Sequence, residues 1–79
     1  MIHIKVLGSG CANCKRVEAI ARKAVESLGL DAQVEKVTDF EEIMKWPILS
    51  TPGLVINDKV VSSGRIPTEA EVTDWLRAA

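Results

Sequence analysis

The only two cysteines of the chain, Cys11 and Cys14, lie in the segment Cys-Ala-Asn-Cys. This segment follows an apolar run that ends at Leu7 and precedes a helical pattern, so we expect it at the N-terminus of a helix. Unpaired backbone N–H groups and the helix dipole favour a thiolate at that position. Because the thiolate is the species that attacks a disulfide, the pair points first to redox exchange.

The two thiols are expected to play different roles. The first cysteine of such a pair is the more exposed, whereas the second is partly covered by the helix. Cys11 is therefore the expected nucleophile and Cys14 the resolving thiol. Cys11 would attack a partner disulfide, and Cys14 would break the mixed disulfide that results.

Metal binding is the main alternative chemistry for these thiols. A closed zinc site needs about four nitrogen or sulfur ligands, and the chain offers two thiols and one imidazole, His3. A mononuclear zinc site could therefore form only across a dimer, and we expect no resident metal or other cofactor. A two-coordinate Cu(I) site suits soft thiolates, so a Cu(I) carrier stays open as an alternative.

Length and charge exclude several classes of protein. A chain of 79 residues predicts one domain, residues 1–79. The net charge of −1 disfavours binding to nucleic acid or to an anionic membrane. The absence of an apolar stretch of about 20 residues, or of a signal-peptide core, predicts a cytoplasmic protein. In that compartment a closely spaced cysteine pair is more often catalytic or metal-binding than structural. We expect a monomer.

The first half of the chain shows two changes of period. Alternating residues predict a strand over Ile2–Leu7, and Gly8-Ser9-Gly10 breaks it. From Cys14 the period becomes helical, with Gly29 as the expected stop. A second alternating segment predicts a strand over Ala32–Val37. The apolar stripe of the helix consists of Val17, Ile20, Ala21, Ala24, Val25 and Leu28.

The second half contains two helix starts and a hairpin. Thr38 and Glu41 match a capping box that opens a short helix, which Pro47 limits to about Lys45. Thr68 and Glu71 match a second capping box before a final helix. Between them, Leu54–Ile56 and Val60–Val61 read as a hairpin joined by residues 57–59 and ended by residues 62–64.

The predicted order is β-α-β-α-β-β-α. This order fits an α/β fold with one mixed, four-stranded sheet and helices on both faces. The first strand and the C-terminal hairpin are the expected neighbours at the centre of the sheet.

The segment Ser50-Thr51-Pro52-Gly53 lies directly before an apolar strand. Proline cannot donate to a sheet ladder, so Pro52 belongs at a strand start, an edge or a bend. An ordinary trans peptide bond is the commoner case, since only about 5–6% of X-Pro bonds are cis. Because a Cys-x-x-Cys lies some forty residues upstream, we expect the cis form of the bond before Pro52 instead.

The chain resembles the thioredoxin-like superfamily, and in particular the small thioredoxin/glutaredoxin-like redox-active disulfide proteins of archaea and bacteria. Three features, in this order and spacing, carry the resemblance over essentially the whole chain. They are the segment Gly8–Cys14 after the first strand, Thr51-Pro52-Gly53 before the hairpin, and Gly64 before the last helix.

The resemblance implies a minimal thioredoxin-like fold and a thiol–disulfide oxidoreductase or electron carrier. It implies that Pro52 is cis and packs beside the cysteines, and that the backbone of Thr51 pairs with an extended substrate segment. Protein disulfides and a reductase would be the partners; a thioredoxin-like adaptor with little turnover is a further alternative. Gly10, a third candidate substrate contact, stands where thioredoxins carry tryptophan. The insert Ala12-Asn13 matches neither thioredoxins nor glutaredoxins, so neither a redox potential nor glutathione dependence is implied.

Overall fold

The computed structural model describes residues 1–8, 12–48 and 50–79. Over these residues the element order is β-α-β-α-β-β-α, as the sequence predicts. None of the described helices is long and apolar enough to cross a membrane. The elements are β1 (Ile2–Leu7), α1 (Ala12–Leu28), β2 (Ala32–Val37), α2 (Phe40–Met44), β3 (Gly53–Ile56), β4 (Lys59–Ser63) and α3 (Glu69–Ala78).

The four strands form one mixed sheet in the order β2-β1-β3-β4. β1 is parallel to β2 and antiparallel to β3, and β3 and β4 form an antiparallel hairpin. The expectation that the first strand and the hairpin meet at the sheet centre is confirmed. In the β1–β3 ladder Leu7 lies opposite Gly53, so Gly8 and Pro52, the next residues outward, lie at the same edge of the sheet.

The larger part of the core lies between the sheet and the helices α1 and α3. Alternate strand positions such as Ile4, Val6 and Leu54 face this side, as the period of two requires. They meet the apolar stripe of α1 and two buried residues of α3. The buried members of this cluster are Ile4, Val6, Val17, Ala21, Ala24, Leu54, Ile56, Val72 and Leu76.

The opposite face of the sheet carries a much smaller cluster. Leu7 and Val55 pack there against Ile43 of α2. A helix of five residues covers little of the face, and Phe40 and Met44 on the same helix are 72% and 66% exposed. Helices therefore cover both faces, as predicted, but very unequally.

The start of α2 corrects one prediction. The N-cap is Asp39, whose side chain accepts a hydrogen bond from the Glu41 N–H at 3.0 Å, so the expected capping box of Thr38 and Glu41 is wrong. Asp and Thr both cap helices, but Asp ranks higher. Here the adjacent Asp39 takes the cap, which moves the helix start one residue along the chain.

The hairpin is tighter and longer than expected. Its turn consists of Asn57 and Asp58 alone, with φ values of 48° and 65°, the backbone of a two-residue turn that matches strand twist. Lys59 already belongs to β4, and the strand continues through Ser63. Two predictions are therefore wrong: the link has two residues and not three, and the second strand of the hairpin is not ended at residue 62.

The capping box of α3 is confirmed. Thr68 Oγ1 accepts from the Glu71 N–H at 3.1 Å, and Glu71 accepts from the Thr68 N–H at 3.1 Å. Arg65 also donates two hydrogen bonds to the Glu71 carboxylate, at 2.9 and 2.7 Å. The bond from Arg65, followed by the bond from the Thr68 backbone, lowers the pKa of Glu71 to about 2.

This shift predicts a pH-dependent contribution to stability. A carboxylate whose folded pKa is lowered stabilises the fold above its unfolded pKa, which is about 4.3, and loses that contribution as pH falls through the folded value. We expect the difference in unfolding free energy between the wild type and Glu71→Gln to shrink between about pH 4.5 and 2, as denaturant unfolding would measure. Glutamine keeps the capping geometry, so the comparison isolates the charge.

Glu69→Gln is the matched control for this prediction, because Glu69 lies in the same helical turn. Measured over the same pH range, this variant shows the effect of removing one carboxylate from the turn while the contacts of Glu71 are kept. A Glu71→Gln difference that stays constant from pH 4.5 to 2 would contradict the linkage.

Candidate functional site

Three of the five predicted site residues, Cys14, Thr51 and Pro52, lie where β1, α1 and β3 meet at one edge of the sheet. Of the five, Gly10 and Cys11 lie outside the described residues, so their placement stays a prediction. Cys14, Thr51 and Pro52 are described. α1 begins at Ala12, which places Cys14 in its first turn, two residues beyond the start of the helix.

Cys14 faces the interior rather than solvent. It is 5% exposed and lies on the same side of α1 as the buried Val17, one turn further along. It is not a free cysteine in this structure. Its burial agrees with the expectation that the helix covers the second cysteine of the pair.

Gly8 lies so close to the Cys14 side chain that it leaves no room for a side chain of its own. A side-chain carbon built at Gly8 would overlap Cys14 Sγ and would lie 3.1 Å from Cys14 Cβ. The same position is 4.0 Å from Thr51 Cβ. Because Gly8 has no side chain, the backbone directly after β1 can approach both the first turn of α1 and the segment before β3.

The Thr51–Pro52 segment completes this edge. The peptide bond between the two residues is cis, with Pro52 buried and Thr51 exposed. The Gly64 N–H donates a hydrogen bond to the Pro52 carbonyl at 2.9 Å. Gly64 has φ of 73° and would bring a side chain into Ser50 Oγ, so glycine suits this position on both counts.

An apolar groove of about 420 Å³ begins at Thr51 and runs along α2. Its lining is mainly apolar. Two of the apolar side chains in this lining, Phe40 and Met44 of α2, are exposed. Trp46 packs partly against the smaller core cluster, with Lys5 Nζ 5.2 Å from its ring centroid. The groove is lined by Phe40, Ile43, Met44, Trp46, Ile48, Ser50 and Thr51.

Sequence reasoning missed two parts of this arrangement. It treated Gly8 as one of three residues that break the strand, although a glycine directly after a buried strand and before the cysteine motif could have signalled a close approach. The short helix was also predicted without any indication that its residues Phe40 and Met44 would lie exposed. No local pattern shows that a helix of five residues leaves them exposed.

A mixed four-stranded sheet, a cysteine in the first turn of its first helix, and a Thr-Pro segment across from that cysteine define a thioredoxin-like protein. A family model described as "Thioredoxin domain" matches residues 2–77, and the chain belongs to this family. A protein named thioredoxin from Methanocaldococcus jannaschii is 40% identical over 78 residues, which cover 99% of this chain and 90% of the relative. A thioredoxin from Methanothermobacter thermautotrophicus is 36% identical over 76 residues, which cover 96% and 99% of the two chains.

Proposed function

We propose that the protein exchanges thiols and disulfides through Cys11 and Cys14, with Cys11 as nucleophile and Cys14 as resolving thiol. The observation that supports the proposal is the position of Gly8, where an added side-chain carbon would overlap Cys14 Sγ and would lie 4.0 Å from Thr51 Cβ. Cys14 and the segment expected to bind a substrate are therefore close to the same residue at the end of β1. The relatives named thioredoxin support the same chemistry.

The proposed reaction moves two electrons from the dithiol to a partner disulfide. The Cys11 thiolate attacks one partner sulfur, and the other partner sulfur leaves as a thiolate and takes up a proton. The Cys14 thiolate then attacks Cys11 Sγ, which forms the Cys11–Cys14 disulfide and releases the second partner thiolate. A reductase would return the protein to the dithiol form.

Substrates of this reaction are proposed to be protein disulfides. Thr51 is exposed at the strand edge, where its backbone can pair with an extended segment. Pro52 and Gly10 would flank that segment. The apolar groove begins at Thr51 and suits apolar side chains of a polypeptide better than a small charged thiol. The protein is further proposed to act as a single cytoplasmic domain and as a monomer.

Trapping the mixed disulfide tests the proposal. Cys14→Ser keeps the nucleophile and removes the resolving thiol, so it should accumulate a covalent adduct with a disulfide-containing protein such as insulin. Gel electrophoresis with and without reductant would show the adduct. The same variant, used in a cell extract, would capture the physiological partner.

Cys11→Ser is the matched control, because it keeps one thiol at the same site and should trap much less. Equal trapping by both single variants, or by neither, would contradict the assigned roles. Tight Cu(I) binding by the wild type without any exchange would favour the soft-metal carrier instead.

A further inference from the structure

The surface around Thr51 connects the two faces of the sheet. A side-chain carbon on Gly8 would lie 4.0 Å from Thr51 Cβ and would overlap Cys14 Sγ, in the first turn of α1. Thr51 also lines the apolar groove that runs along α2. Because α1 and α2 pack on opposite faces of the sheet, a polypeptide paired with Thr51 would have α1 on one side and α2 on the other.

The α1 side of this surface is positively charged. Lys15 and Arg16 directly follow the described cysteine, and both are exposed. Among the described residues, no ion pair joins either cation to an acidic side chain. The next acid along α1, Glu18, already pairs with Arg22 at 3.0 Å and with Lys36 at 3.6 Å. The charges of Lys15 and Arg16 are therefore available to a partner.

The stability of α1 does not account for these two cations. The positive end of the helix dipole lies at the N-terminus, so acids near it are favourable and cations are unfavourable. α2 and α3 follow this rule with two acidic residues each in the first turn, whereas the described first turn of α1 has none. Attraction of a negatively charged group to this edge of the sheet would account for the placement.

The α2 side is apolar and negatively charged. Phe40 and Met44 lie at the groove and are largely exposed. Glu41 is also exposed and forms no ion pair within the part of the chain that the structure describes, whereas Glu42 pairs with Lys45 at 2.9 Å. This side therefore favours an apolar side chain of a partner and repels an acidic one.

We propose that the protein selects partner polypeptides whose reacting cysteine has an acidic residue on one side and a large apolar residue on the other. The acidic residue lies against Lys15 and Arg16, and the apolar residue enters the groove along α2. The reversed arrangement is disfavoured, because it places the acid beside Glu41. This inference rests on the proposed function and names the class of its polypeptide substrates.

Synthetic peptides test the inference with the reduced wild-type protein. Each peptide has one cysteine, held as a disulfide with thiopyridine, so that attack by the protein releases thiopyridone and changes the absorbance. The peptides carry glutamate or lysine on one side of the cysteine and leucine or alanine on the other, in both orders along the peptide. In the better order, glutamate should react about threefold to tenfold faster than lysine at low salt. Leucine should react about fivefold faster than alanine.

Salt separates the two contributions. The Debye length falls from about 30 Å at 0.01 M ionic strength to about 3 Å at 1 M. The preference for glutamate over lysine should therefore disappear over this range, whereas the preference for leucine over alanine should persist. A glutamate preference that is unchanged at 1 M salt would contradict the charged contact.

Variants of the protein assign each preference to one side of the surface. Arg16→Glu should abolish or reverse the preference for glutamate and keep the preference for leucine. Phe40→Ala and Met44→Ala should reduce the preference for leucine and keep the preference for glutamate. Each rate is divided by the rate of the same variant with dithiodipyridine, which carries no peptide, so that a change in the reactivity of the thiols cancels.

Lys23→Glu is the matched control for Arg16→Glu, because it makes the same change of charge on the same helix. Lys23 lies about 10 Å further along the helix axis and is 3.9 Å from Glu69. Its replacement should leave both preferences unchanged, and circular dichroism checks that each variant is folded. An equal loss of the glutamate preference in both variants would assign it to net charge and overturn the inference.

The remaining outcomes separate this inference from the proposed function. If the wild type reacts with no peptide and traps no insulin as Cys14→Ser, the proposed function fails. If it reacts with all the peptides at one rate, only the present inference fails. A glutamate preference that survives Arg16→Glu, or a leucine preference that survives both groove variants, would also overturn it.

Discussion

Replacing Gly8 with alanine should lower the free energy of unfolding by about 1–3 kcal/mol, the usual cost of overpacking a filled site. The added carbon would overlap Cys14 Sγ. Gly8 and Cys14 are both buried, so neither residue can relieve the overlap by moving into solvent. A chain of 79 residues is expected to have about 4–12 kcal/mol of stability in total. The loss is therefore a large fraction, and denaturant unfolding would measure it.

A double-mutant cycle shows whether the overlap with sulfur is the cause. In a Cys14→Ala background the sulfur is gone and only the β-carbon remains, 3.1 Å from the new side chain. Gly8→Ala should then cost clearly less than in the parent, with a coupling energy above about 0.5 kcal/mol. An equal cost in both backgrounds would show that overlap with Cys14 Sγ is not the cause of the lost stability.

The same substitution should impair the proposed chemistry. A carbon under Cys14 must push the first turn of α1 away from Gly8 or tilt the cysteine out of its position. Resolution of the mixed disulfide would then slow more than its formation, because resolution depends on the position of Cys14 Sγ. Single-turnover kinetics of the two steps would measure this ratio.

Replacing Leu54 with alanine should be the most destabilising single truncation of a core side chain in β3. Leu54 is 1% exposed, packs in the larger core cluster and lies beside Val6 in the sheet. Leucine-to-alanine changes in such sites cost about 2–5 kcal/mol, because a cavity adds to the lost burial. A loss of about 3 kcal/mol corresponds to a fall in Tm of about 12–24 °C in a domain of this size. Thermal unfolding by circular dichroism would measure the fall.

Met44→Ala is the control for this prediction, since it also removes a large apolar side chain but from a position that is 66% exposed. We expect it to change the free energy of unfolding by less than about 0.5 kcal/mol. A Leu54→Ala protein as stable as Met44→Ala would contradict the placement of Leu54 in the core.

Sequence pattern predicted the fold well where the local signals were strong. The apolar stripe that ends at Leu28 predicted the long helix because it repeats over several turns, and the alternation over Ile2–Leu7 predicted the first strand to the residue. The cap of α3 also matched, because Thr68 and Glu71 have no competing cap nearby. At α2 two adjacent capping residues compete, Thr38 and Asp39, and the sequence alone does not decide between them.

The candidate site was predictable only in part, because it depends on contacts between distant segments. The roles proposed for Cys14, Thr51 and Pro52 rest on the motif and the resemblance, and they stay predictions. The approach of Gly8 to Cys14 depends instead on how α1 lies on the sheet.

The pairing of Leu7 with Gly53 has a consequence for how the chain tolerates change in length. The two halves of the candidate site are distant in the chain, yet the ladder between β1 and β3 sets their separation. An inserted residue inside β3 would shift the Thr-Pro segment by about 3.4 Å and turn its side chains to the other face. An insertion between α2 and residue 50 would leave that ladder untouched. Related chains should therefore vary in length before the Thr-Pro segment far more readily than after it.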